Sequence, residues 1–331
     1  RLPAMPENSQ IPSSAMTLCL TVNRQAWLDH VRLTASQHGT TLPVVKGNGY
    51  GFGRPILFEQ TAHLAEHVAV GTVYEATDVP ASLSPVVLTP VGSHIPHSLP
   101  TRSVLTVGSL DHVASLRSHN WQGSVLIKLQ STMQRFGVSG GDLAALRSAC
   151  EQASLNVVGY SIHPPLNNNG QDRSGEVSCW LELLTDNLPI HVSHLTAEQI
   201  GLLRSQFPKR TFISRIGTAL WLGDKSMMKL TAEVLDVHQV DGGTAGYRSI
   251  ALPGSGHLVI VGAGSAHGVS EIVGVGSPFH FAQQRIALVE PPHMHSSMLF
   301  FPAGQTVPRI GDQVDVQQPL TRVNADTISW E

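Results

Sequence analysis

The chain has 331 residues, 41% of them apolar, with a formal net charge of −3 and an isoelectric point near 6.6. That length exceeds one small core and implies one large domain with a second unit, or two domains. No basic tract stands out, which excludes nucleic acid and anionic membrane surfaces as expected partners, and no apolar run reaches the ~18 residues of a membrane span. The three cysteines, Cys19, Cys150 and Cys179, are far apart, so neither a disulfide framework nor a metal spacing is expected. Unpaired thiols suit a reducing, cytoplasmic setting.

Residues 1–16 are polar and rich in Pro and Ser, and read as a flexible tail without the apolar stretch of a signal peptide. A strand, "TLCLTV" (17–22), and a helix, "NRQAWLDHVRLTASQHG" (23–39), come next. Eight short apolar runs follow: 42–46, 68–72, 86–89, 103–107, 124–129, 157–163, 189–193 and 211–215. Helical patterns with start signals lie between them. Pro55 suits a first turn, Ser109 suits an N-cap before "LDHVASLRS", and Leu143, Leu146 and Cys150 mark one apolar face. Eight strand–helix alternations predict an α/β fold, a (β/α)8 barrel over 17–225. From 226 to 331 the pattern becomes alternating strands with Gly and Pro turns, a C-terminal, mainly β domain.

Chemistry in such a barrel sits at the C-terminal ends of the strands. Lys46, Lys128, His163, Ser193 and Arg215 all fall at or near those ends. A desolvated Lys46 has a lowered pKa and can attack a carbonyl; the plain alternative is a snorkelling strand-end lysine.

Three stretches decide between these. "KGNGYGFG" (46–53) resembles the K-A-N-A-Y-G-H-G signature of the alanine racemase family, the fold-type III pyridoxal phosphate enzymes. "IKLQSTMQRFGV" (127–138) is similar to that family's lysine-x-Asp-Thr-Gly-Met-x-Arg-x-Gly, and "SRIGTALWLG" (214–223) to its Arg-x-Gly-Ile-x-x-Tyr-Gly. The order agrees, and the resemblance spans about residues 17–320.

The resemblance implies pyridoxal 5′-phosphate as cofactor and no metal. Lys46 would be the Schiff-base lysine and one α-proton base. Tyr50, Ser193, Gly217 and Thr218 would bind the phosphate. Arg135 would reach the cofactor's phenolic oxygen and the substrate, His163 would pack near the pyridine ring, and Arg215 would face the pyridine nitrogen. Lys128 matches a lysine that is often carbamylated, although Gln130 replaces the aspartate beside it.

On the substrate side the match breaks. The family's second base is a tyrosine in Gly-Tyr-Ala-Asp-Gly, and here the stretch reads "GSAHG" (264–268). Ser265 takes the tyrosine's place, and His267 becomes the expected second base or the activator of Ser265. In "HMHSSMLFF" (293–301), Met294 matches a substrate-contacting methionine and His295 replaces an aspartate.

The implied activity is that of an amino-acid racemase or epimerase working as a homodimer with an active site shared between subunits. The alternatives are one-face pyridoxal phosphate chemistry, as in a decarboxylase, lyase or aldolase, or a degenerate cofactor-binding protein.

Overall fold

The computed structural model describes residues 17–166 and 173–331. The expected tail (1–16) and residues 167–172 lie outside the described residues. By internal contacts the chain forms two units. One comprises Leu28–Gly49 and Arg54–Gly223; the other holds the first described residues to Trp27, Tyr50–Gly53 and Asp224–Glu331.

The first unit is the barrel. Its eight parallel strands are β2 (Thr41–Pro43), β3 (His67–Val70), β4 (Ser84–Pro90), β5 (Val104–Val107), β6 (Ser124–Lys128), β7 (Asn156–Ser161), β8 (Ile190–Val192) and β9 (Phe212–Ile216). β2 pairs with β9, and the parallel bridge Val44↔Ala69 closes the ring toward β3. Leu42, Val44, Ala69, Val86, Val104 and Leu126 pack as one buried apolar layer. Their strands carry near-continuous apolar runs because both faces are covered.

The alternation with helices is less regular than eight sequence repeats suggest. Helix α2 (Arg54–Ala62) follows β2, but only one turn, α3 (Val73–Ala76), follows β3, and β4 reaches β5 through an irregular connection. Helices α4 (Leu110–Ser118), α5 (Leu143–Gln152), α6 (Arg173–Leu183), α7 (Ala197–Gln206) and α8 (Thr218–Leu222) complete the set. Ser109 caps α4 by accepting from the His112 N–H, and Leu143, Leu146 and Cys150 form the buried face of α5.

The second unit is a mainly antiparallel sheet built on β10 (Met228–Asp241), which pairs with Ser255–Val261 and Gln313–Val316. Strand β1 (Leu18–Val22) belongs here and not beside the barrel: it lies antiparallel to β10 and parallel to Thr327–Trp330. Its burial alternates, with Leu18, Leu20 and Val22 inward. That period suits a sheet with one covered face, not a barrel strand covered on both.

Candidate functional site

The C-terminal ends of the barrel strands carry a cluster of cations. Lys128 closes β6, and its Cα pairs with Ser161 on β7, which pairs in turn with His191 on β8. Registered residues of parallel neighbours face the same side, so these three form a polar layer in one plane. Arg215, on β9, is buried, donates from Nη2 to the Ile162 carbonyl at 2.5 Å, and leaves its Nε–H without a partner. Ser161 Oγ and His191 Nδ1 are also buried and unpaired. Such groups are costly when left unsatisfied.

Arg135 reaches the site from a tight excursion after β6. The Val138 N–H donates to the Lys128 carbonyl (2.8 Å) and the Gln130 N–H to the Val138 carbonyl (3.0 Å), folding the segment back on itself. The reversal requires Gly137, whose φ is +124° and where a Cβ would lie 2.4 Å from Gln130 N. Ser131 Oγ and Trp180 Nε1 brace the segment through the His163 and Gln130 carbonyls. Arg135 itself is exposed.

Lys46 stands just past β2 on a pinned backbone. Trp221 Nε1 donates to the Val44 carbonyl (2.8 Å), and the Val45 N–H donates to Ala69 O (2.7 Å). Beyond it the chain coils through positive φ at Gly47, Gly49, Tyr50, Gly51 and Gly53. Glycine at every second position accommodates that run, while Tyr50 holds a left-handed conformation at φ 55°. Tyr50 is buried and belongs to the second unit.

The charges are mutually repulsive. Burial, then Arg135, lowers the Lys46 pKa, Glu75 opposes this, and Arg215 adds to the lowering. Burial, then Arg215 and Arg135, brings Lys128 down to about 6. Burial and the same arginines, together with His194 and Lys128, hold His163 near 2 and so neutral. The His163 and His194 rings meet edge-on at 4.4 Å. Among the described residues, no acceptor lies within hydrogen-bonding distance of Lys128 Nζ or Lys46 Nζ. The donor set therefore fits an anionic, carbonyl-bearing ligand: surplus positive charge, an unpaired buried guanidinium N–H and an amine of depressed pKa.

Ser193 is buried at the end of β8, Gly217 caps α8 at the end of β9, and Thr218 is exposed in its first turn. The barrel unit thus collects Lys46, Lys128, Arg135, His163, Ser193, Arg215, Gly217 and Thr218 at one end. Ser265, His267 and Met294 form a separate group in the second unit.

In that group His267, expected as the second base or the activator of Ser265, is held by two hydrogen bonds. Its Nδ1 accepts from the Gly264 N–H (3.0 Å) and its Nε2–H donates to Asp326 (3.2 Å). The ring is buried with both nitrogens engaged, which makes it a tie within the loop. His267→Ala is expected to lower stability by about 1–3 kcal/mol, read by denaturant melting, without removing cofactor binding. Ser265 and Met294 are exposed on adjoining loops, joined by Ser265 N–H to His293 O (2.7 Å) and Ala266 N–H to Met294 O (2.8 Å).

Two groups escaped the sequence. Glu75, in a single-turn helix, takes backbone N–H groups next to Lys46. Glu290 is buried and accepts from His293 Nε2 (2.6 Å) and the Tyr247 N–H (2.7 Å). Neither stands in a motif, and only tertiary contacts reveal them.

Lys128 also sets a pH dependence. The unfolded chain keeps this amine protonated to about pH 10, whereas the fold releases the proton near 6. Between those values the unfolded state binds more protons, so stability rises with pH across that window. In cofactor-free protein, Lys128→Met should flatten that rise and stabilise the fold at pH 7 by on the order of 1–3 kcal/mol, read by melting at several pH values.

Residues 22–223 match the family profile described as "Alanine racemase, N-terminal domain". No curated protein sequence matches the chain significantly. Among solved structures, alanine racemase from Bartonella henselae with covalently bound pyridoxal phosphate is similar at a TM-score of 0.71 and 16% identity, over 95% of this chain and 99% of that one. Alanine racemase from E. faecalis gives 0.69 and 18%, over 96% and 98%. That from Streptomyces coelicolor A3(2) gives 0.67 and 18%, over 96% and 98%. At these identities the structural likeness is one of fold.

Proposed function

Because the chain belongs to the alanine racemase family of fold-type III pyridoxal phosphate enzymes, we propose that it is a pyridoxal phosphate-dependent isomerase acting as an amino-acid racemase or epimerase. The observation that carries this reading is the cation cluster at the strand ends, in which Lys46 has a lowered pKa and Arg215 a buried, unpaired Nε–H.

Bound there, pyridoxal phosphate would supply the carbonyl that captures the amino acid and the ring that acidifies its α-hydrogen. The chain's own residues do the rest. Lys46 would hold the cofactor carbonyl and serve as one α-proton base; its lowered pKa leaves more of the amine unprotonated near neutrality. Arg215 would face the pyridine nitrogen and disfavour its protonation, which would make the bound ring a weaker electron sink. Arg135 would bind the phenolic oxygen and the substrate carboxylate, and neutral His163 would pack by the ring without adding charge. Ser193, Gly217 and Thr218 would hold the phosphate, and Tyr50 would add a phosphate contact. The low pKa of Lys128 leaves a neutral amine available for carbamylation.

Racemisation also needs a proton on the opposite face. A homodimer in which the second unit of each copy completes its partner's site would supply one, with Ser265 and Met294 facing the substrate. The exposed Tyr247, Val273 and Met294 support such a contact. Free cysteines fit a cytoplasmic enzyme.

A second reading is one-face chemistry, decarboxylation or cleavage. It is favoured by His267 having both ring nitrogens engaged, which leaves Ser265 without that base. The test is α-deuterium uptake from D2O by candidate L- and D-amino acids with pyridoxal phosphate present, followed by chiral analysis. Uptake with inversion supports the isomerase; uptake with strict retention assigns one-face chemistry.

A further inference from the structure

Glu75 has no part in cofactor binding or proton transfer in the reading above, yet its carboxylate sits at the barrel's strand ends. One oxygen accepts the Gly47 N–H at 2.9 Å and the other accepts the Gly71 N–H at 2.6 Å. Gly47 directly follows Lys46, and Gly71 directly follows β3. A Cβ at Gly71 would lie 2.8 Å from the carboxylate, so glycine there makes room for the bridge. The Thr72 hydroxyl caps α3 by accepting from the Glu75 N–H, which sets the side chain's origin.

The Gly47 carbonyl is held as well. It accepts from Arg54 Nη1 at 2.7 Å, and Arg54 is paired with Asp78. With the Val44 and Val45 bonds upstream, the backbone on both sides of Lys46 is fixed while its amine forms no hydrogen bond among the described residues. A carboxylate suits this bridge because two N–H donors meet two acceptor oxygens; a glutamine could satisfy only one. The negative charge matters separately, since it opposes Arg135 and Arg215 at Lys46.

We infer that Glu75 is a positioning residue for Lys46: its carboxylate locks the Lys46–Gly47 peptide to the end of β3 and sets a fixed negative charge against the surrounding arginines. This rests on the reading of Lys46 as the cofactor-binding lysine. Two roles for Glu75 predict opposite signs. If the charge acts on the amine, removing it lowers the Lys46 pKa. If Glu75 only braces the loop, its loss hydrates the amine and moves the pKa up toward the ordinary lysine value.

Trace acetic anhydride labelling of the cofactor-free protein across pH, with mass spectrometry of the Lys46 peptide, reads that pKa directly. Glu75→Gln is expected to move the labelling midpoint down by about 0.5–1 pH unit. An unchanged or raised midpoint overturns the inference. Glu75→Asp keeps the charge but is too short to bridge both amides; its midpoint should not fall below that of the unaltered protein, and attachment of pyridoxal phosphate should slow by about tenfold. If Glu75→Gln does not fold, an unchanged attachment rate in Glu75→Asp overturns the inference instead. Failure of the unaltered protein to attach pyridoxal phosphate at all would defeat the proposed function, and the acetylation midpoint would still report on Glu75.

Discussion

Replacement of Lys46 by alanine is expected to abolish covalent attachment of pyridoxal phosphate and to reduce turnover by at least ~10³-fold, with the fold intact. The expectation follows from the separation of backbone and side chain at this residue. The peptides around Lys46 are held by Trp221, Ala69, Glu75 and Arg54, so the loop does not depend on the amine. Removing a partly exposed cation from beside Arg135 and Arg215 relieves repulsion. The melting transition should therefore stay within about 0.5 kcal/mol of the unaltered protein or move up. Absorbance of the bound cofactor, its fluorescence and a melting curve on one sample separate these effects.

The second large effect belongs to Arg215. Arg215→Met keeps much of the side chain's length while removing the guanidinium, and should weaken cofactor affinity by on the order of 10²-fold through loss of a charged donor in a buried site. It should also change the titration of its neighbours. After burial, Arg215 is the charge that most lowers both Lys128 and His163. Without it both pKa values rise, and the pH-dependent rise in stability from Lys128 begins at higher pH. Cofactor titration at fixed pH gives the first number, and melting across pH gives the second. A variant that weakened cofactor binding without shifting the Lys128 titration would separate Arg215 from the charge network.

The barrel was legible in the sequence because its strands are short, apolar runs covered on both faces, and because "KGNGYGFG" and "MQRFG" encode backbone shapes that few residues allow. The alternating glycines after Lys46 and the single glycine at 137 do geometric work at positive φ, and that requirement is local. What depended on tertiary pairing was not legible. The partner of β1 is chosen by β10, more than two hundred residues away. The loss of a helix between β4 and β5 leaves no periodic signal.

The histidines of the second unit show the same limit. Sequence makes His267 a plausible base by residue type, whereas its role depends on the Gly264 amide and Asp326 occupying its two nitrogens. Asp326 is engaged too: burial disfavours its charge, but donation from Thr17, the Leu18 N–H and His267 outweighs that and keeps its pKa below the ordinary value. The contribution of Asp326 is lost as pH falls through that lowered pKa. The Glu290–His293 pair, three residues apart, likewise acquires meaning only because Glu290 is buried beneath the turn carrying Tyr247.

The central claim is that Lys46 is the residue that holds pyridoxal phosphate. Its most direct test is borohydride reduction of the protein mixed with pyridoxal phosphate, followed by proteolysis and mass spectrometry of every lysine-containing peptide. The account predicts one stable pyridoxyl adduct, on Lys46, formed near neutral pH at stoichiometric cofactor. An adduct on another lysine, such as Lys209 or Lys229, with Lys46 unmodified would contradict it.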